Sequence, residues 1–216
     1  MWKKKTRKHG VEISAMSYFK EFGSIASATV KYGDIRLNNI TVCLNDEGRV
    51  EVVFPREITC SEAPLYTFSK KEGHSRDCEQ IERALAQTFG KLLHGRRDCT
   101  VEGIPIEGIS IPAGSSPKIL IMPGGDGIDP RGNEYKVGPS FSAVYHNLEI
   151  ANIEVVGPND SKKLSFPGRN GDVVSPHTSH FSKAIMTAYA MYQATQELEA
   201  TPTATEIEEP AVGPSF

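Results

Sequence analysis

A chain of 216 residues has room for one large domain or two small ones, at about 150 residues per domain. Its 38% hydrophobic, 24% charged and 8% aromatic residues match ordinary globular usage and exclude collagen, a coiled coil or a wholly disordered chain. Apolar runs such as Ile119 to Met122 are short, where a membrane-spanning helix needs about 20 residues, and a net charge of −3 announces no wholesale phosphate-binding surface.

The chain opens on a basic arm, residues 1 to 10, with Lys3, Lys4, Lys5, Arg7 and Lys8 and no acid. The polar stretch from Val11 to Glu21 cannot serve as the apolar core of a signal peptide, so a cytoplasmic protein is expected. Two readings of the arm stay open: a solvated terminus, or a salt-sensitive attraction to phosphates through counterion release. Cys43, Cys60, Cys78 and Cys99 stand about twenty residues apart with no CxxC pair, which predicts reduced thiols and neither a zinc site nor a redox motif.

A segment then recurs about 113 residues later. Ile35 to Val42 aligns without a gap on Leu148 to Val155, with apolar residues matching at 35/148, 37/150, 40/153 and 42/155 and Asn39 matching Asn152. Upstream of each copy lies a small and β-branched stretch, Ser24 to Tyr32 and Ser140 to Tyr145. Downstream of each comes an Asn-Asp turn (Asn45-Asp46, Asn159-Asp160) and a segment ending in Phe-Pro (Phe54-Pro55, Phe166-Pro167). Alternation of period two in Arg49 to Phe54 and in Glu149 to Val155 predicts half-buried strands. Proline has no N–H for a ladder, so Pro55 and Pro167 mark strand ends.

Each half closes on a helical pattern. In the first, Ser75 or Asp77 caps a helix with Cys78, Ile81, Leu85, Phe89 and Leu92 on its apolar face, ending near His94-Gly95. In the second, Ser179 caps Phe181, Ala184, Ile185, Ala188, Tyr189 and Tyr192 at i, i+3, i+4 spacing. The expected fold is α+β: two related units, each an antiparallel β-meander with one packed helix, together a pseudo-dimer. A unit of about 70 residues has a thin core, which pairing would thicken.

The predicted organisation is the arm over 1–10, a first unit over 11–95, a connecting segment over 96–138, a second unit over 139–195 and a disordered acidic tail over 196–216. The segment Ile104 to Ile111 is expected to lend the second unit an edge strand, as Val11 to Phe19 does for the first. Pro123-Gly124-Gly125-Asp126-Gly127 reads as a tight hairpin turn, since it lacks the Lys-Ser/Thr of a phosphate-binding loop. The tail carries Glu197, Glu199, Glu206, Glu208 and Glu209, three prolines and no base, too little apolar surface to offset ordering entropy. Its end resembles the acidic, aromatic-tipped tails of bacterial single-stranded-DNA-binding proteins, interrupted by Gly213 and Pro214.

The order of elements resembles the septation-regulator family SpoVG, small bacterial proteins that form dimers and bind nucleic acid. The residues that carry the resemblance are Val11-Glu12-Ile13-Ser14, Ile25 to Val30, Ile35 to Val42, Val52-Val53-Phe54-Pro55 and the helix around Ile81-Glu82-Arg83-Ala84. It covers residues 11 to 93 and, more faintly, 139 to 193. This chain departs from the family in carrying two units, a long insert and an acidic C-terminus. The resemblance implies a non-catalytic regulator that binds DNA or RNA through basic residues near each helix. The matching positions are Lys70, Lys71 and Arg76 in the first unit and Arg169 and Lys183 in the second, with Lys3, Lys4, Lys5 and Arg7 of the arm adding charge. Basic groups at a helix N-terminus favour phosphate, and solvated surface charge is the plain alternative.

Two further classes stay open. One is a protein-interaction or assembly module, with the tail as a recruitment peptide and homo-oligomers as a possible product. The other is a metal-dependent enzyme around His177 and His180, whose HxxH spacing lacks a third ligand or a carboxylate nearby. No cofactor or metal is expected, and Asp126, Asp129, Asn133 and Glu134 do not make a calcium loop because Ile128 occupies a ligand position.

Overall fold

The computed structural model describes residues 8–20, 22–56, 65–68, 76–95, 97–112, 115–128, 131–158, 161–168 and 173–200. Of the expectations above, those on Lys3, Lys4, Lys5, Arg7, Cys60, Lys70, Lys71, Ser75, Asn159-Asp160, Arg169 and the tail from residue 201 lie outside the described residues.

The architecture is α+β, with two antiparallel sheets of six and five strands and two helices. The first half supplies β1 (Lys8–Phe19), β2 (Ile25–Tyr32), β3 (Ile35–Leu44), β4 (Val50–Val53), β5 (Tyr66–Phe68) and α1 (Arg76–Leu93). Next come β6 (Cys99–Pro112), β7 (Lys118–Met122) and a two-stranded ribbon of β8 (Gly125–Ile128) and β9 (Glu134–Val137). The second half supplies β10 (Ser140–Tyr145), β11 (Leu148–Val156), β12 (Lys163–Ser165), β13 (Val174–Pro176) and α2 (Ser179–Ala200). The six-stranded sheet runs β13-β3-β2-β1-β6, with β4 also paired to β3, and the other runs β12-β11-β10-β7, with β5 also paired to β11.

Neither sheet is completed by its own half of the chain. Strand β5 follows β4 in sequence but pairs with β11, placing Tyr66, Thr67 and Phe68 opposite Ile150, Glu149 and Leu148. Strand β13 follows β12 but pairs with β3, placing Val174, Ser175 and Pro176 opposite Leu37, Arg36 and Ile35. The two exchanges dock on positions that match in the sequence repeat. Both borrowed strands carry buried residues (Tyr66, Phe68, Val174) into one continuous core, so their exchange is held by apolar burial as well as by ladder hydrogen bonds.

The repeated asparagine also has a structural reason. Asn39 and Asn152 both take left-handed φ angles, 57° and 55°, which asparagine tolerates better than most residues. Each sits where the pairing register skips, between Ala28/Ile40 and Val30/Leu37 in one sheet and between Phe141/Ile153 and Ala143/Ile150 in the other. These are β-bulges. They break the simple period of two expected for Glu149 to Val155: Ile150 and Ile153 are both buried because the bulge resets the face between them.

Helix α1 packs on β6, β4, β1 and β3 and buries Ile81, Leu85 and Phe89, with Phe89 edge-on to Tyr18 at 5.9 Å. Helix α2 packs against β13 and β7 and buries Phe181 and Ile185, Phe181 lying edge-on to Tyr145 at 5.7 Å. Both helices follow the predicted apolar positions. Helix α2, however, runs on to Ala200, so residues 196–200 expected in the tail are helical.

Two connecting-segment expectations are corrected. The strand holding Ile104 to Ile111 is β6, which pairs with β1 in the six-stranded sheet, while β7 is the strand beside β10 in the other. Burial decides this: Ile106, Ile109 and Ile111 are buried where β6 meets β1 and α1. Gly125 to Gly127 are not the hairpin turn but the start of β8, paired with β9, and the turn falls after Ile128.

Candidate functional site

Helix α1 has two unlike flanks beside its buried face, because each residue advances about 100° around the axis. Glu79 and Glu82 lie on one flank, and with Val50, Glu51 and Val52 of β4 they line an open groove that Arg83 also borders. Arg76, Gln80, Arg83, Gln87 and Lys91 follow one another in steps of four, three, four and four residues, which keeps them on a single stripe. That stripe holds three cations, two amides and no carboxylate.

Four residues of the stripe (Gln80, Arg83, Gln87 and Lys91) line a second groove of about 330 Å³, whose far wall is Ile104, Pro105, Ile106 and Glu107 of β6. The groove exists because β6 is an edge strand that bulges. Val11 faces Ile106 and His9 faces Ile111, so four residues of β6 stand opposite Gly10 alone. Pro105 is tolerated there because an edge strand has a free side. Arg76, Arg83, Gln87 and Lys91 are exposed, and their donors can reach an extended anionic ligand without first breaking a buried contact.

Of the predicted site residues, Arg76 opens this stripe as the first residue of α1. Lys183 is exposed on α2, which carries no other lysine or arginine, so the two helices do not present matching basic faces. Arg83, Lys91, Gln80 and Gln87 were missed. Their signal was present in the same helical periodicity that identified Ile81, Leu85 and Phe89, read on the opposite side of the helix.

His177 and His180 are both exposed, and no group of three His, Cys, Asp or Glu among the described residues could hold a metal ion. Burial, together with Lys31 and Arg36 nearby, holds the His177 imidazole below its ordinary pKa. Two neighbouring cations repel a divalent ion as they repel the imidazolium proton.

A second polar group lies where the halves meet. The Tyr32 hydroxyl donates to Asp77 Oδ2 at 2.6 Å, and Asn147 Nδ2 donates to the same oxygen at 3.0 Å. His146 Nδ1 stands 3.2 Å from the Tyr32 oxygen and 3.4 Å from Asp77 Oδ2. In the matching position of the other sheet, the Tyr145 hydroxyl accepts the backbone N–H of Asp34 at 3.2 Å. Burial, and then the bond to Asp77, push the Tyr32 phenol far above its usual range. Burial likewise raises Tyr145. A phenol that keeps its proton and gives it to a buried carboxylate is a strut. This one fastens the end of β2 to the first turn of α1, and Asn147 of the β10–β11 turn joins at the same Asp77 oxygen.

No protein-family model, curated protein or solved structure matches this chain.

Proposed function

We propose that this chain is a non-catalytic nucleic-acid-binding regulator of the SpoVG type, in which two related β-meander-and-helix units form an internal counterpart of a dimer. The duplication is supported by the shared bulge asparagines, Asn39 and Asn152, and by the borrowed strands that dock in matching registers. Binding is carried by one observation, the carboxylate-free stripe of Arg76, Gln80, Arg83, Gln87 and Lys91 along α1. It spans fifteen residue steps, about 22 Å at 1.5 Å each, long enough to follow several consecutive phosphates. The guanidinium groups fork onto phosphate oxygens, the lysine adds a point charge, and the glutamines supply neutral donors between them. Lys183 and the arm residues Lys3, Lys4, Lys5 and Arg7 add positive charge, and the acidic tail competes for the stripe. The place of action in this reading is the cytoplasm.

The test is fluorescence anisotropy with single-stranded DNA, duplex DNA and RNA across a salt series, using the full chain and an Arg83→Gln/Lys91→Gln variant. Each neutralised phosphate contributes about −0.9 to the log–log salt slope on duplex DNA, so losing two cations should flatten the slope by about 1.8 and weaken binding. Removal of residues 201–216 should strengthen it. An unchanged slope in the variant, or absence of binding to all three ligands, overturns the reading.

A second reading, a protein-docking module, is favoured by the apolar corner at the β1–β2 turn. Phe19 and Phe22 are in edge contact at 6.4 Å, Phe22 is 73% exposed, and Ile25, also exposed, stands opposite Phe19. Failure of nucleic-acid binding together with capture of a partner lost in Phe22→Ser would favour this reading.

A further inference from the structure

We propose that Lys31, Arg36 and His177 form a binding site for a phosphate monoester dianion on the outer face of the six-stranded sheet, separate from the α1 stripe. The site is assembled by the pairing register. Glu12 faces Lys31 across β1 and β2, Lys31 faces Arg36 across β2 and β3, and Arg36 faces Ser175 of the borrowed strand β13. Four adjacent strands thus contribute one residue each to a single cross-sheet row. The His177 N–H donates to the Asp34 carbonyl at 2.6 Å, which continues the β13–β3 ladder by one residue. Alternation along the strand then brings His177 out on the same face as Ser175. Ser175 itself is on that face, accepting from Asn38 Nδ2 at 3.3 Å.

Like charges directly opposite each other across two strands destabilise a sheet. Glu12 offsets one of them, with its carboxylate 3.5 Å from Lys31 Nζ. Arg36 is exposed and makes no ion pair among the described residues, so the row keeps a net positive charge. The groups facing His177 are Lys31, Arg36, Asp34 and Glu12, and burial with the two cations outweighs the two carboxylates in holding its proton off. The Thr178 hydroxyl, next along, is buried without a hydrogen-bond partner, a donor left over in the segment between β13 and α2.

The fold does not require this charge. In the corresponding row of the five-stranded sheet, Lys118 faces Val144, Val144 faces Glu149 and Glu149 faces Thr67. Arg36 is replaced there by an acid and Lys31 by an apolar residue, while the pairing is the same. A dianion is the matching ligand because it can pair with Arg36 and share Lys31 with Glu12, and its arrival converts the repulsion felt by the His177 imidazolium into attraction. The source of the phosphate is either the end of a nucleic acid chain or a small phosphorylated molecule.

The experiment is NMR of the His177 imidazole in the full-length chain, assigned with His177→Gln, during titration with inorganic phosphate against chloride at constant ionic strength. The expected result is a saturable shift and a raised His177 pKa. Arg36→Gln should weaken the response at least tenfold, whereas Arg83→Gln on α1 should leave it unchanged, which separates this site from the stripe. A linear, non-saturating response, or an equal response in Arg36→Gln, overturns the proposal. Tighter binding of a 5′-phosphorylated oligonucleotide than of its unphosphorylated form would support the site with a nucleic-acid end as its source. Equal binding of the two, with inorganic phosphate still saturating, would support it with a small-molecule source.

Discussion

Gly33→Ala places a methyl group where the two halves touch, and its cost can be worked from the geometry. Gly33 has φ of 62°, a left-handed conformation that costs a side-chain-bearing residue about 1–2 kcal/mol. A Cβ built there meets the Tyr145 hydroxyl at 2.6 Å, Tyr145 Cε1 at 3.1 Å and Ile111 Cδ1 at 3.2 Å. Tyr145 is about 1% exposed and Ile111 fully buried, so neither retreats into solvent, and overpacking of this kind costs about 1–3 kcal/mol. Displacing the Tyr145 hydroxyl also weakens its bond from the Asp34 N–H, worth about 1 kcal/mol. The expected loss is about 3–6 kcal/mol, a large share of the roughly 5–15 kcal/mol that holds a domain folded. Urea unfolding followed by circular dichroism measures it. Tyr145→Phe removes the oxygen that crowds the new methyl, so the double variant should cost less than the sum of the singles by at least about 1 kcal/mol, beyond the roughly 0.5 kcal/mol scatter of independent sites. Strict additivity, or a neutral Gly33→Ala, would show that Tyr145 of the five-stranded sheet does not reach the β2–β3 turn.

Three other outcomes follow from the same contacts. Tyr32→Phe removes the 2.6 Å bond to Asp77, whose side chain is 8% exposed, and should cost about 2 kcal/mol as a charge-assisted bond; a loss below about 0.5 kcal/mol in urea unfolding would sink the strut assignment. Cutting the folded chain at a protease site inserted between Pro112 and Ser115 should leave two fragments that co-elute in gel filtration, because each holds a strand in the other's sheet; separation without denaturant would contradict the exchange. His177 releases its proton at lower pH in the folded chain than when unfolded, so the unfolded state binds more protons between the two values. Its contribution is complete above an unfolded value of about 6.5 and is lost as pH falls from there through the folded value. His177→Gln should therefore show a shallower fall in thermal midpoint between neutral and mildly acidic pH, and identical profiles would refute the placement of Lys31 and Arg36 beside the ring.

Local structure was legible in the chain because it is written in one dimension. Period-two alternation located β4, helical spacing located the buried faces of α1 and α2, and self-similarity paired β3 with β11 down to the asparagines that form their bulges. Arg76 entered as a candidate through the family resemblance, as a basic residue beside the first helix. The rest of the stripe on α1 was available to the same periodicity, but the groove that gives it meaning was not. That groove depends on β6 bulging beside the helix, and β6 had been expected in the other sheet, since an edge strand with Ile106, Ile109 and Ile111 suits either apolar surface equally well.

What only the tertiary structure decided is partnership. Strands β5 and β13 are three residues long, too short for their own sequence to specify a neighbour, and their choice of the opposite half is made by burial of Tyr66, Phe68 and Val174 in the shared core. The phosphate-class site follows from that choice. Arg36 and Ser175 lie 139 residues apart in the chain and become neighbours only when β13 crosses to β3. The sequence by itself determined which elements form and that they form twice; the non-local burial of the exchanged strands decided which surfaces they build together.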